Sequence, residues 1–152
     1  MSREITQSDQ TNTHGRDTSI ERCLCRALWR KGYRYRKNCQ TLPGSPNIVL
    51  TKYKIAIFCD SEFFHGKNWE ILKLQLKKEN DPDFWIKKIE HNQICDWEND
   101  KKLLFLGYTV IHFWGQDILN HTDECLRAIE ESIWEDKISD TDLADPFFGD
   151  EL

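Results

Sequence analysis

Apolar and polar residues repeat along this chain with two different periods, which together predict a mixed α/β fold. Apolar side chains recur at helical spacing from Thr18 onward, and Gly32 is a natural stop for the predicted first helix. Three short strands are predicted next, at residues 33–37, 47–50 and 55–58. The last of these is an unbroken apolar run, as expected for a strand that is buried on both faces.

The second half of the chain returns to helical spacing. A short amphipathic helix is predicted at residues 69–76, and a long helix is predicted between Pro82 and Gly107. Residues 108–114 alternate as in a strand, and residues 122–134 form the predicted closing helix. This order predicts a single α/β domain with an αβββαβ core, in which helices flank a mixed sheet, and an extra C-terminal helix.

The composition indicates one folded domain. We expect it to span residues 16–134, after a flexible polar segment at residues 1–15 and before an acidic tail at residues 135–152. The sequence contains neither a secretory signal nor an apolar run of the roughly 20 residues that a membrane span needs. We therefore expect a cytoplasmic, monomeric protein that does not contact a membrane.

Six cysteines are present, but their spacing does not indicate a disulfide framework or a metal site. No C-x-x-C pair or Cys/His cluster occurs, and a core of this size does not need disulfides. We expect reduced, mostly buried thiols and no structural zinc.

Charge is distributed unevenly along the chain, whose net charge is −5. Residues 16–54 hold ten Lys or Arg against two acidic residues, whereas residues 135–152 hold seven acidic residues against one lysine. Arg22, Arg26 and Arg30 share one face of the predicted first helix. The basic half can bind phosphates, but a solvated helix face followed by an acidic tail would give the same pattern.

Polar residues are placed where the predicted strands end, so they should meet at one edge of the sheet. The candidates are Glu21, Asn47, Cys59, Asp60, His65 and Asp96. Carboxylates together with a backbone carbonyl suit a hard cation such as Mg²⁺. A histidine beside them can activate water, and a carboxylate can orient that histidine.

Structural explanations are also open for these residues. Glu21 can complete a capping box with Thr18. Asn47 can be a turn residue, Asp60 can end a strand, and His65 can bind a backbone carbonyl. The adjacent Phe63 and Phe64 are equally ambiguous, because they can be core residues or a platform on which bases stack.

Several stretches in order resemble one enzyme family: RDTSIE, RALWRKGYRYRKN, LPGSPNIVL, YKIAIFCDSEFFHG, DFWIKKIEHNQICD and LGYTVIHFW. Residues 16–133 resemble the very-short-patch-repair (Vsr-like) DNA mismatch endonucleases of the PD-(D/E)xK nuclease superfamily. The family has the same αβββαβ nuclease core. The resemblance implies a Mg²⁺-dependent endonuclease that nicks one strand of duplex DNA at or near a T:G mismatch, as in DNA mismatch repair.

The resemblance also assigns roles to individual residues. Metal binding is implied for residue 47 and for the Cys59 carbonyl. Catalytic roles fall to His65, Asp96, Glu21 and Asp60. Phe63 and Phe64 take the place of an aromatic wedge beside the mismatch, and we expect further DNA contacts from Arg16, Arg22 and Lys67.

The sequence departs from the family pattern at the metal site. The family's metal-binding aspartate is Asn47 here, so we expect weaker Mg²⁺ binding and lost or strongly reduced nicking. Positions of a zinc site in some relatives hold Lys67, Trp69 and Gln116, which again predicts no structural zinc. Two alternative functions are open: a catalytically inactive DNA-binding module on the same fold, and an acidic protein-interaction domain. A repair or restriction-modification protein is a candidate partner.

Overall fold

The structure, a computed structural model, describes the backbone of residues 18–144 and the side chains of residues 19–135. Arg16, the segment at residues 1–15 and the end of the tail lie outside the described residues. The elements are α1 (Thr18–Arg30), β1 (Arg36–Lys37), β2 (Ile48–Leu50), β3 (Ile55–Asp60), α2 (Trp69–Leu76), α3 (Pro82–Phe105), β4 (Thr109–Trp114), α4 (Gly115–Asn120) and α5 (Thr122–Ala144).

The four strands form one mixed sheet in the order β1-β2-β3-β4. β2 pairs antiparallel with both β1 and β3, whereas β3 and β4 run parallel, from Ile55↔Thr109 to Asp60↔Trp114. A parallel pair needs a crossover connection, which α2 and α3 provide. The predicted α/β fold with its αβββαβ core is therefore confirmed.

Strand β3 is buried on both faces, as its apolar run predicted. Ile55 and Ile57 pack with Leu24 of α1 and with α5, whereas Ala56 and Phe58 face the other way, toward α3. Each large apolar side chain in this core contributes about 1.5–3 kcal/mol by leaving water. β3 is thus the fixed centre of the molecule, and α1 and α3 lie on opposite faces of the sheet.

Gly32 and Gly107 each end a helix and turn the chain toward the next strand of the sheet. Gly32 has φ +91°, and the N–H groups of Gly32 and Tyr33 donate to the carbonyls of Trp29 and Leu28. Gly107 repeats this arrangement at the end of α3, with φ +89°. This hydrogen-bond pattern closes a helix with a left-handed residue that glycine adopts at little cost. The second closure starts β4 directly beside β3.

Three details of the fold differ from the sequence prediction. Only Arg36–Lys37 of the segment predicted as a strand at residues 33–37 pairs with β2. Helix α4 was not predicted, because six residues are too few to show a period. The closing helix continues to Ala144 rather than ending at residue 134, since its last turns are mostly polar and do not continue the apolar period.

The sequence predicts mostly buried thiols, and the structure buries only half of them. All six cysteines are free thiols; Cys25, Cys59 and Cys125 are buried, and the other three are half-buried. Burial raises the pKa of Cys25, and burial together with nearby acidic residues raises that of Cys125 to about 11. Between residues 18 and 144, none of the helices combines the length and the apolarity that a membrane crossing requires.

Candidate active site

The parallel strands β3 and β4 end side by side at Asp60 and Trp114, and the candidate site lies at this edge. The first turn of α1 covers the same edge. Gly115 follows β4, and a Cβ atom there would come within 2.9 Å of Ile20 Cδ1. The absence of a side chain at Gly115 therefore lets α1 approach the sheet and places Glu21 at the strand ends.

Asn47 is fixed between β3 and α1 by two hydrogen bonds. The Cys59 N–H donates to Asn47 Oδ1 over 2.8 Å, and Asn47 Nδ2 donates to Glu21 Oε1 over 2.7 Å. Because a backbone N–H can only donate, the amide oxygen must face Cys59, and the amide nitrogen must therefore face Glu21. Glu21 and Asn47 are 4% and 6% exposed. This buried contact joins residues 26 apart in sequence and supplies a role for Glu21 beyond capping.

The donor set does not fit a tightly bound Mg²⁺. Glu21 offers a carboxylate and Cys59 a backbone carbonyl, which are suitable oxygen ligands. Asn47, however, brings no charge, and its NH₂ group donates to Glu21 Oε1 and so competes with a cation for that oxygen. An amide nitrogen that carries two hydrogens donates hydrogen bonds and does not bind cations. Among the described residues, no group of three or more His, Cys, Asp or Glu side chains is arranged to hold a metal.

His65 and Asp96 meet across the loop after β3. His65 Nδ1 lies 2.5 Å from Asp96 Oδ2, which leaves Nε2 directed toward Asp60, 3.8 Å from its Oδ1. Burial lowers the pKa of His65, but the hydrogen bond to Asp96 and the negative charges of Asp60 and Asp96 outweigh it. The pKa of His65 is therefore raised above 6.5. The contact with Asp96 therefore also orients the imidazole.

Helix α3 holds the loop that carries His65. Asn92 Nδ2 donates to the Phe64 carbonyl over 2.9 Å, and Gln93 Nε2 donates to the His65 carbonyl over 3.3 Å. Gly66 follows with φ +69°, and a Cβ atom there would collide with the Gln93 side chain. The positive φ and this crowding together favour glycine where the loop lies against α3.

Sequence reasoning missed a second histidine at the site, His112 in β4. Its Nδ1 lies 2.6 Å from Asp60 Oδ2, and its Nε2 lies 2.8 Å from both oxygens of Asp100. Its ring stacks on Phe58, with centroids 4.7 Å apart and planes 10° apart. Burial lowers the pKa of His112, but the bonds to Asp60 and Asp100 and their charges raise it to about 9.

One signal for this pair comes from the sheet and is seen only in the structure, and the other is a spacing visible in the sequence. The parallel register places His112 opposite Phe58, next to the end of β3. Asp100 follows Asp96 by four residues on α3, so both carboxylates lie on the same helix face. Asp60 thus lies between two histidines, each of which has a second aspartate partner.

The residues predicted to contact DNA lie in two parts of the structure, the loop after β3 and the outer face of α1. Phe63 and Phe64 are both half-buried and stack edge to face, 5.2 Å apart, and Phe63 also contacts Trp85 at 5.5 Å. Lys67 is half-buried, with Nζ 5.8 Å from the centre of the Trp114 ring. Arg22 is exposed on the outer face of α1. The structure therefore brings the candidate catalytic and metal residues together and leaves Arg22 outside that cluster.

Comparisons with known proteins point to one family. A family model described as DNA mismatch endonuclease Vsr matches residues 5–71. The chain is 39% identical to the type II nicking enzyme V.HpaIIP of Haemophilus parainfluenzae, over 83% of this chain and 88% of the relative. It is 39% identical to V.NmeDIP of Neisseria meningitidis serogroup C, over 76% and 77%. It is 32% identical to the DNA mismatch endonuclease Vsr of Escherichia coli K12, over 78% and 76%.

Proposed function

Since this chain belongs to the Vsr family of DNA nicking endonucleases, we propose that it hydrolyses one strand of duplex DNA at or near a T:G mismatch. The observation that carries this proposal is the pair formed by His65 and Asp96, held 2.5 Å apart beside Asp60 at the strand ends. A histidine oriented by a carboxylate is a common general acid–base group in hydrolysis.

In this proposal His65 moves the proton of the attacking water. Asp96 fixes Nδ1, so Nε2 is the atom that exchanges the proton. The 3.8 Å between Nε2 and Asp60 Oδ1 is too long for a direct hydrogen bond. A water molecule that lies beside the line joining the two atoms can bond to both, which would orient it for attack on a phosphodiester. His112 keeps Asp60 in this position from the opposite side.

The proposed nicking activity is low in this chain, and Asn47 is the reason. Glu21 and the Cys59 carbonyl would be the oxygen ligands for Mg²⁺, but the amide of Asn47 adds no negative charge and donates to Glu21. We expect Mg²⁺ affinity to fall accordingly. A DNA-binding module that no longer nicks is the second candidate function, and the same hydrogen bond favours it.

Phe63 and Phe64 are the proposed wedge at the mismatch. Their rings are half-buried and continue into an aromatic cluster with Trp85, so part of each ring stays accessible beside the His65 loop. Inserting an apolar ring into a base step costs a few kcal/mol of stacking, and a mismatched step costs less. A partner in repair or in restriction-modification remains part of this proposal.

A nicking assay tests the proposal. T:G-mismatched and fully matched duplexes, labelled on each strand, are incubated with Mg²⁺ and with this chain, Asn47→Asp, or Asn47→Asp combined with His65→Gln. We expect Asn47→Asp to nick one strand of the mismatched duplex faster than the parent chain does, and the double variant to lose that gain. Binding of the T:G duplex without nicking by any variant would favour the binding module instead.

A further inference from the structure

A second charged feature lies outside the candidate active site, on the outer face of α1. A groove of about 500 Å³ is lined by residues of α1, α4 and α5. Arg22, Arg26 and Arg30 line one wall, and Leu119 and Asp123 belong to the other. None of the catalytic or metal candidates contributes to this groove, which is therefore a distinct surface.

The groove carries positive charge that the described residues leave uncompensated. Within residues 19–135, no carboxylate lies within 4.0 Å of the guanidinium groups of Arg22, Arg26 or Arg30, although Asp123 belongs to the lining. Arg34, by contrast, stacks over the Trp29 ring at 3.6 Å. Three arginines against one aspartate therefore favour an anionic occupant.

The spacing of the arginines fits a polyanion better than a single small anion. Four residues of α-helix rise about 6 Å, so the three side chains start from positions spread over about 12 Å along α1. One DNA strand carries a phosphate about every 3.4 Å along its axis, so three arginines can follow a few consecutive phosphates. The guanidinium fork also matches phosphate geometry.

One end of the groove follows directly after the candidate active site along α1. Ile20 packs toward Gly115 at the end of β4, Glu21 points into the site, and Arg22 opens the groove, all within the first turns of α1. A duplex engaged at the strand ends would therefore meet Arg22 first and Arg30 last.

We propose that Arg22, Arg26 and Arg30 hold the sugar–phosphate backbone of the substrate duplex beyond the nicking site. The inference rests on the proposed function, because it takes duplex DNA as the substrate. It adds Arg26 and Arg30 as binding residues and gives them a role in affinity and orientation rather than in mismatch recognition. The competing occupant is an acidic protein segment.

The salt dependence of DNA binding tests this proposal without nicking. Affinity for a matched duplex is measured at several KCl concentrations, with EDTA present, for the full chain, Arg26→Gln, Arg30→Gln and the double variant. Each lost phosphate contact should reduce the slope of log K against log [salt] by about 0.9, and the double variant should lose about 1.8.

Two matched variants separate charge in the groove from charge in general. Arg26→Lys keeps the charge and should keep the slope. Lys102→Gln removes an exposed cation from the last turn of α3, on the opposite face of the sheet, and should leave the slope unchanged. Gln, Lys and Arg have similar helix propensity, so melting temperatures should stay close to that of the parent.

The outcomes distinguish the two proposals. Tight DNA binding with equal slopes in the parent chain and the double variant would overturn the groove proposal and leave the proposed function intact. Loss of slope in Lys102→Gln as large as in Arg26→Gln would overturn it as well. A parent chain that fails to bind duplex DNA even at low salt would overturn the proposed function and this inference with it.

Discussion

Asn47 Nδ2 donates a hydrogen bond to Glu21 Oε1 over 2.7 Å, in a buried contact at the sheet edge. The Cys59 N–H holds the other end of the amide and prevents it from turning over. A neutral side chain thus satisfies a carboxylate at a position where the family resemblance implies an aspartate. An aspartate in this place would face Glu21 with a second negative charge, and a cation or a proton would be needed between them.

Asn47→Asp should therefore couple the stability of the protein to Mg²⁺. Without divalent cations, we expect the variant to lose about 1–3 kcal/mol of unfolding free energy, because a buried hydrogen bond becomes a contact between like charges. Mg²⁺ should recover much of this loss, since a ligand that binds only the folded state stabilises it. Urea unfolding with EDTA and with Mg²⁺ measures both effects.

The control for this prediction is Asn80→Asp, which makes the same change at an exposed position. Its stability should not respond to Mg²⁺ beyond the response of the parent chain. An Asn47→Asp protein that is as stable as the parent in EDTA would show that Glu21 and residue 47 do not repel each other as the geometry requires.

His112 should make the stability of the protein depend on pH. Its pKa is raised from 6.5 to about 9 by Asp60 and Asp100 after burial has lowered it, so the folded state binds the proton more tightly than the unfolded state. The stabilisation is then fully present below pH 6.5 and is lost as the pH rises through 9. With partial exposure of the ring taken into account, it amounts to on the order of 2 kcal/mol.

Urea unfolding of the parent chain and of His112→Gln at pH 6, 8 and 9.5 checks this prediction. The difference in unfolding free energy between the two proteins should be largest at pH 6 and should shrink toward pH 9.5. A difference that is constant over this range would mean that His112 acts only through packing on Phe58.

Asp96→Asn should lower the pKa of His65, because the hydrogen bond and the charge that raise it are both weakened. A histidine that loses its orienting carboxylate also loses proton-transfer efficiency. In the Asn47→Asp background, we expect nicking to slow by about 10²–10⁴-fold. NMR titration of the His65 ring measures the first effect, and single-turnover nicking measures the second.

Asp100→Asn is the matched comparison, four residues along the same helix. It should lower the pKa of His112, which Asp100 contacts. It should leave the hydrogen bond between His65 and Asp96 in place. If both variants shift the His65 resonance equally, the two aspartates do not serve separate histidines.

The sequence predicted the parts of this site that local pattern determines. The apolar run of β3 fixed the centre of the sheet, and residues next to strand ends, Asn47 and Asp60, had to meet at its edge. His112 escaped prediction because a histidine in a half-buried strand resembles an ordinary surface residue until a partner is seen. Its partners come from β3 and α3, and a parallel register of this kind is set by tertiary packing that no local period encodes.

The orientation of the Asn47 amide was also beyond the sequence. An asparagine at this position could offer its oxygen to a cation or its nitrogen to a carboxylate, and composition does not choose between them. The choice follows from the Cys59 N–H, which demands the oxygen. One backbone donor therefore decides that the nitrogen faces Glu21.

Gly66→Ala tests whether the close contact between the His65 loop and α3 orients the proposed catalytic pair, His65 and Asp96. A Cβ atom at Gly66 would collide with Gln93 Nε2 and lie 3.0 Å from Ile89 Cγ2, so either the Gln93 side chain leaves the His65 carbonyl or the loop shifts away from α3. We expect His65 to separate from Asp96, with a lower His65 pKa and slower nicking in the Asn47→Asp background. NMR titration and single-turnover nicking detect these changes.

Gly32→Ala separates this steric effect from backbone strain. Gly32 and Gly66 both have positive φ, at +91° and +69°, so alanine should cost each about 1 kcal/mol of stability. A Cβ atom at Gly32, however, would meet nothing within 4 Å. Gly32→Ala should therefore lower stability while leaving the His65 pKa and nicking unchanged. If Gly66→Ala also leaves both unchanged, the packing of the loop on α3 does not position the histidine.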